Sequence, residues 1–185
     1  MLSLTNVLKL NKGRYRLVKA LSHYSKNTYN QGLYNTRQYF FNNNMFLQYS
    51  DNYHLCKDSE NYKMMQAAAA QQSFKLMECS TRSFLGSLKS YRNGDIDRQS
   101  LPGDLPKDGL FLIAFSENAF TSHSGMVHLD ISRAISKEFP DAHRQLIFKR
   151  PKPLEGKTVQ EIHIPHIYEG LYFKIKHCYE KVTKL

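Results

Sequence analysis

Arg16, Lys19, His23, Lys26, Asn30 and Arg37 step along the chain by 3, 4, 3, 4 and 7 residues. In a helix that spacing places all six on one face. The row extends about 30 Å at 1.5 Å rise per residue. A row of cations with an interspersed amide suits a phosphate backbone, because each neutralised phosphate releases a condensed counterion. An ordinary solvated helix face balances its cations with carboxylates at i±4, and this one has none. The imbalance is regional. The chain carries a net +10, yet residues 1–50 hold seven Lys or Arg and no Asp or Glu, while residues 51–185 hold 19 basic and 16 acidic residues. Seven uncompensated charges in one segment repel each other when it folds, and a polyanion relieves that repulsion.

A second polar face carries Gln71, Gln72, Lys75, Glu78 and Arg82. Glu78 is positioned to pair with Lys75 and Arg82 inside one helix. Gln71 and Gln72 are different, because amides near the start of a helix can read adenine edges bidentately in a major groove. Catalytic sets are missing. GxSxG, Walker A, GxGxxG and HExxH are all absent. Asp95, Asp97, Asp104 and Asp108 fall in turn-rich sequence where local hydrogen bonding explains them. His163 and His166 have HxxH spacing inside a strand-like run, where residues three apart face opposite ways. No metal site and no cofactor are expected. Cys56, Cys79 and Cys178 are odd in number and widely spaced, which predicts a reduced, cytoplasmic chain without a disulfide framework. No apolar run approaches the ~18 residues of a membrane span.

The elements that must position these groups follow from the hydrophobic period. Residues 3–10 alternate loosely and read as a strand, broken at Asn11-Lys12-Gly13. From about 14 to 41 the period turns helical, with Leu17, Leu21, Tyr24 and Thr28 on one stripe and Val18, Tyr29 and Leu33 beside it. Gly32 in mid-helix predicts a kink or a close approach. Residues 45–63 read as a loop or short turns. A second helix is expected over about 64–91, its stripe running Ala67, Ala70, Phe74, Met77, Thr81, Phe84, Leu88 and Tyr91, and it should pack antiparallel to the first. Residues 92–109 are dense in turn formers and mark a boundary. Strands are expected over 110–115, 126–131 and 146–149. A short helix over 132–139 should be capped by Ser132, and a terminal hairpin should span 158–168 and 171–182. Pro165 places its strand at an edge or bulge. Ile162, Ile164, Ile167, Phe173, Ile175 and Tyr179 on this hairpin require cover, and strand surface left bare promotes association. The predicted class is α+β: a small β-barrel, wedge-like or OB-like, with a two-long-helix insertion after the first strand. The expected units are residues 1–11 plus 101–185 for the barrel and 12–100 for the insertion.

Residues 4–10, followed by Tyr15, Leu21, Tyr24, Tyr29-Asn30 and Arg37, resemble the amino-terminal region of the TnpB (OrfB) proteins of insertion sequences. The run from Tyr62 through Met64-Met65, Ala70-Gln71-Gln72-Ser73-Phe74-Lys75 to Phe84 is similar to their second long helix. Leu105-Pro106-Lys107-Asp108-Gly109 and residues 152–173 are similar to their β-domain. The resemblance implies the amino-terminal part of an RNA-guided DNA endonuclease, a family formerly described as transposases with a helix-turn-helix. Its partners are DNA and guide RNA held in a basic channel, with a short target-adjacent motif read by protein. The RuvC-like nuclease carboxylates and zinc cysteines of that family have no counterparts here, so the expectation is binding without catalysis. The alternatives are one half of a nuclease completed by a separate nuclease-domain chain, or a nuclease-dead, RNA-guided repressor. By resemblance, Gln71 occupies a motif-reading position, as do Ser116 and Asn118 beyond the linker, while Ala67 and Ala68 stand where larger contacting side chains occur in the family. The expected nucleic-acid-binding residues are therefore Arg16, Lys19, Lys26, Asn30, Arg37, Gln71, Gln72, Lys75, Ser116 and Asn118.

Overall fold

The computed structural model describes residues 2–142, 145–168 and 170–179, with only the backbone at residues 142, 166 and 168. Strand β1 (Leu2–Lys9) leads directly into helix α1 (Lys12–Asn43). Asn11 caps α1, its side chain accepting from the Arg14 amide at 2.8 Å. Asn44, in the left-handed region at φ 53°, ends it. Two short helices follow, α2 (Tyr49–Cys56) and α3 (Glu60–Met64). They occupy much of residues 45–63, where a loop or short turns were expected. Their polar composition concealed them: Asn52 is fully buried, donating to the Gly32 carbonyl at 2.9 Å and to Thr36 Oγ1 at 3.1 Å. A buried amide that satisfies a helix carbonyl substitutes for an apolar contact. Helices α2 and α3 carry the chain back along α1, through Asn52 to Gly32 and Asn61 to Asn27. Helix α4 (Ala67–Arg92) therefore runs parallel to α1 and not antiparallel as expected: Ser25 meets Ser73, Tyr29 meets Ser80 and Thr36 meets Met77.

Gly32 marks a close approach. A Cβ there would lie 2.9 Å from Cδ1 of Phe74, a fully buried ring on α4. The α4 stripe is buried from Ala69 to Thr81. Beyond that point the expected stripe does not hold: Phe84 and Leu88 are half-buried and Tyr91 is exposed. The paired tips of α1 and α4 thus leave an open apolar groove of about 650 Å³ lined by Phe40, Phe46, Leu85 and Leu88, with Lys89 and Arg92 at its rim.

The remaining strands are β2 (Ile113–Ser116), β3 (Phe120–His123), β4 (Met126–Asp130), β5 (Gln145–Lys149), β6 (Val159–Tyr168) and β7 (Tyr172–Tyr179). Helix α5 (Arg133–Glu138) begins at Ser132, whose hydroxyl accepts from the Ile135 amide at 3.3 Å and donates to the Met64 carbonyl at 2.7 Å. The strands do not close into the expected barrel. They form two antiparallel sheets, ordered β1-β7-β6-β2 and β3-β4-β5. Among the described residues β1 pairs only with β7, and β2 only with β6, so the larger sheet keeps two edges. Its inner face carries Ile113, Phe115, Ile162, Ile164, Phe173 and Ile175, all buried against the smaller sheet's Val127, Leu129, Leu146 and Phe148 and against the helices. The hairpin residues expected to lack cover thus find it inside the chain, except that Ile167 and Tyr179 stay half-buried. Pro165 sits at a break in register between His163 and His166. The expected hairpin turn at Glu169 and the strand end beyond residue 179 lie outside the described residues. One hydrophobic core joins Leu17, Leu21 and Phe74 of the helical insertion to the strands. No helix among the described residues is long and apolar enough to cross a membrane.

Candidate nucleic-acid interface

The polar face of α1 divides in two. Its C-terminal half is covered by the chain segment between α4 and β2, which runs back along the helix. Arg37 Nη2 donates to both oxygens of Asp104, at 2.6 and 2.7 Å. Asn30 clamps the backbone of Leu105, donating to its carbonyl and accepting from its amide, each at 2.9 Å. Lys26 is 3% exposed and its ammonium donates to the Lys107 carbonyl. Ser22 and Ser25 donate to the carbonyls of Phe111 and Leu112. Phe111 also packs on Tyr29, the ring centroids 4.8 Å apart and the planes tilted by 51°. Three of the expected phosphate contacts, Lys26, Asn30 and Arg37, are therefore structural ties. A buried ammonium satisfied by a carbonyl cannot reach a phosphate, and a guanidinium held bidentately by a carboxylate is already neutralised. The acidic partner missing at i±4 arrives from 67 residues away as Asp104.

The N-terminal half remains open. Lys12, Arg16, Lys19 and His23 are all exposed and step by 4, 3 and 4 residues along α1. Among the described residues none of the three cations has an ion-pair partner. Lys12 was absent from the expected set because the sequence placed the helix start two residues later, in a break. Arg16, Lys19 and His23 border a groove of about 560 Å³ with Tyr24 and Phe139 as aromatic walls and Leu110 and Asp108 on the far side. Burial, and secondarily the carboxylates of Glu138 and Glu60, raise the Tyr24 hydroxyl above its usual range. Asp108 is the one carboxylate among the groove's lining residues, against Arg16 and Lys19.

On α4, Gln72 is buried and cannot present its amide to a base edge. Gln71 is half-buried, its Nε2 lying 3.4 Å from the Tyr62 hydroxyl. Lys75 is exposed, and Glu78 pairs instead with Arg82 at 3.0 Å. Ser116 is half-buried at the end of β2, and Asn118 is exposed in the single 3-10 turn that follows. Helix α4 packs along β2 and this turn, so Gln71, Lys75, Ser116 and Asn118 all belong to elements in mutual contact.

Two buried titratable groups are set by the same core. His177 is fully buried, its Nε2 3.1 Å from Asn6 Oδ1. Burial, and then the positive charge of Arg150, lower its pKa to about 4. Burial pushes the Cys56 thiol up to about 11, partly offset by the hydrogen bond from Asn35. On the opposite face of the larger sheet, Glu161, His163 and Cys178 bring one ligand-type atom each within 4.8 Å of the others. The sequence reading missed this group because it compared His163 with His166. The deciding relation is cross-strand: Glu161 pairs in register with Cys178. His166 has its side chain outside the described residues. Comparisons with protein-family models and with curated proteins returned no match.

Proposed function

We propose that the chain is a nucleic-acid-binding protein of the TnpB type, acting by binding and without a catalytic centre of its own. The observation that carries this reading is the exposed, unpaired row Lys12, Arg16, Lys19 and His23 beside an aromatic-walled groove. Cations without carboxylate partners remain available for phosphates, and Tyr24 and Phe139 offer faces on which an unstacked base can lie. The insertion of a helical pair after β1, with β1 then completing a sheet made of later strands, supports the layout that the TnpB resemblance implies. RNA and DNA are the partners proposed. Lys75, Gln71, Ser116 and Asn118 lie on elements in contact with one another and are proposed as a second set of nucleic-acid contacts.

The test is fluorescence-anisotropy binding of single-stranded RNA and duplex DNA across a salt series. Three α1 cations on duplex DNA give a slope of about −2.7 in log K against log salt, and about −2.1 on single strands. Replacing Lys12, Arg16 and Lys19 together by Gln should remove most of that slope with the melting temperature unchanged. Binding that is flat with salt, or unaffected by the triple substitution, would refute the interface.

A further inference from the structure

We propose that Glu161, His163 and Cys178 form a binding site for a thiophilic divalent cation of the zinc class, with water completing the coordination. The three residue types are those that zinc selects: carboxylate, imidazole and thiolate. They stand on adjacent antiparallel strands. Glu161 and His163 are two apart on β6 and share its outer face, and Cys178 is the cross-strand partner of Glu161 on β7. Ser116 of β2 lies across from Glu161 on the other side.

The geometry is near that of a bound site. With metal–ligand distances of about 2.0–2.3 Å, tetrahedral ligand atoms lie about 3.5 Å from each other. The three atoms here lie within 4.8 Å, and His163 Nε2 is 2.9 Å from Glu161 Oε2. Closing the remainder takes about 1 Å, within reach of side-chain rotation. A break in register between Val159 and Glu161 sits beside the cluster, as bulges do where a strand re-aims a side chain.

An imidazole–carboxylate hydrogen bond accounts for Glu161 and His163 by themselves. It does not account for the convergence of Cys178, which is 4% exposed and has no hydrogen-bond partner among the described residues. The Glu161 and His163 side chains are 32% and 18% exposed, so an ion has a path in and a water has room to join. Lys176, the register partner of His163, opposes a cation there. The two anionic ligands, carboxylate and thiolate, offset that opposition. A bound ion would pin β6 to β7 next to the edge strand β1.

Cobalt titration of the full chain, kept reduced with a non-chelating phosphine, tests the proposal. A thiolate-to-cobalt charge-transfer band should grow to one equivalent and vanish on adding zinc. Cys79, the exposed cysteine, is the internal control: C79S keeps the band and C178S loses it. H163Q, at a partly exposed position, should weaken cobalt binding at least tenfold with the circular dichroism spectrum unchanged. No band, a band that survives in C178S, or H163Q affinity equal to wild type would each overturn the proposal. Should C178S fail to fold, H163Q decides alone.

Discussion

Lys19 and Lys26 lie seven residues apart on one helix and look equivalent in the sequence, yet their removal should have opposite consequences. Lys26→Met keeps the length of the side chain and loses one buried hydrogen bond, that to the Lys107 carbonyl. The carbonyl is left without its partner, a loss of about 1–3 kcal/mol. In a domain of this size each kcal/mol moves the melting temperature by about 2–4 °C, so the melting point should drop by about 2–12 °C. Because the ammonium is 3% exposed, it neutralises no phosphate, and the salt slope of nucleic-acid binding should not change. Lys19→Met removes an exposed cation with no ion-pair partner among the described residues. Its melting point should stay within about 1–2 °C of wild type, since exposed substitutions away from such features are within about 0.5 kcal/mol. The salt slope should flatten by about one unit. The assays are differential scanning fluorimetry and anisotropy binding at four salt concentrations. A Lys26→Met protein that melts normally and flattens the salt slope would refute the division of α1 into a tied half and an open half.

Two further outcomes follow from the core. His177 is held at about 4, against about 6.5 when unfolded, by burial and then by Arg150. The unfolded chain therefore binds the extra proton first. The stabilisation is whole above pH 6.5 and is lost as pH falls toward 4, amounting to about 3–4 kcal/mol at 1.36 kcal/mol per pH unit. Melting temperatures measured between pH 7 and 4 should fall in wild type and fall less in His177→Gln; parallel curves would reject the assignment. Gly32→Ala gains about 1 kcal/mol of helix propensity but brings a methyl to 2.9 Å from the buried Phe74 ring and 3.3 Å from Asn52 Nδ2. Overpacking of that kind costs about 1–3 kcal/mol, so the net change should be destabilising, and a raised melting temperature would show that the contact relaxes freely.

The periodic elements were legible in the sequence because their signal is local. The 3.6-residue stripe of α1, the Ser132 cap, the alternation of β6 and β7 and the Pro165 bulge each depend on a few neighbouring residues, and each stands where it was expected. The insertion of helices after β1 was legible too, since a strand cut off from its later partners implies it. Other features depend on which distant segments meet. Whether seven strands close into a barrel or stay as two sheets is a matter of edge pairing that no local pattern encodes.

The same holds for the candidate site. The row on α1 was visible as a row, but its chemistry was decided by the segment that returns from residue 104 to 112. That segment brings a carboxylate and four backbone carbonyls to the polar face and consumes half of it. Lys26 and Lys19 have the same side chain and the same helical phase, and only the tertiary neighbour separates a tie from a free charge. Glu161 and Cys178, 17 residues apart, likewise meet only because antiparallel register sets them opposite each other. Sequence fixes which groups a face can offer, and the desolvation and pairing imposed by remote chain determine which of them remain available.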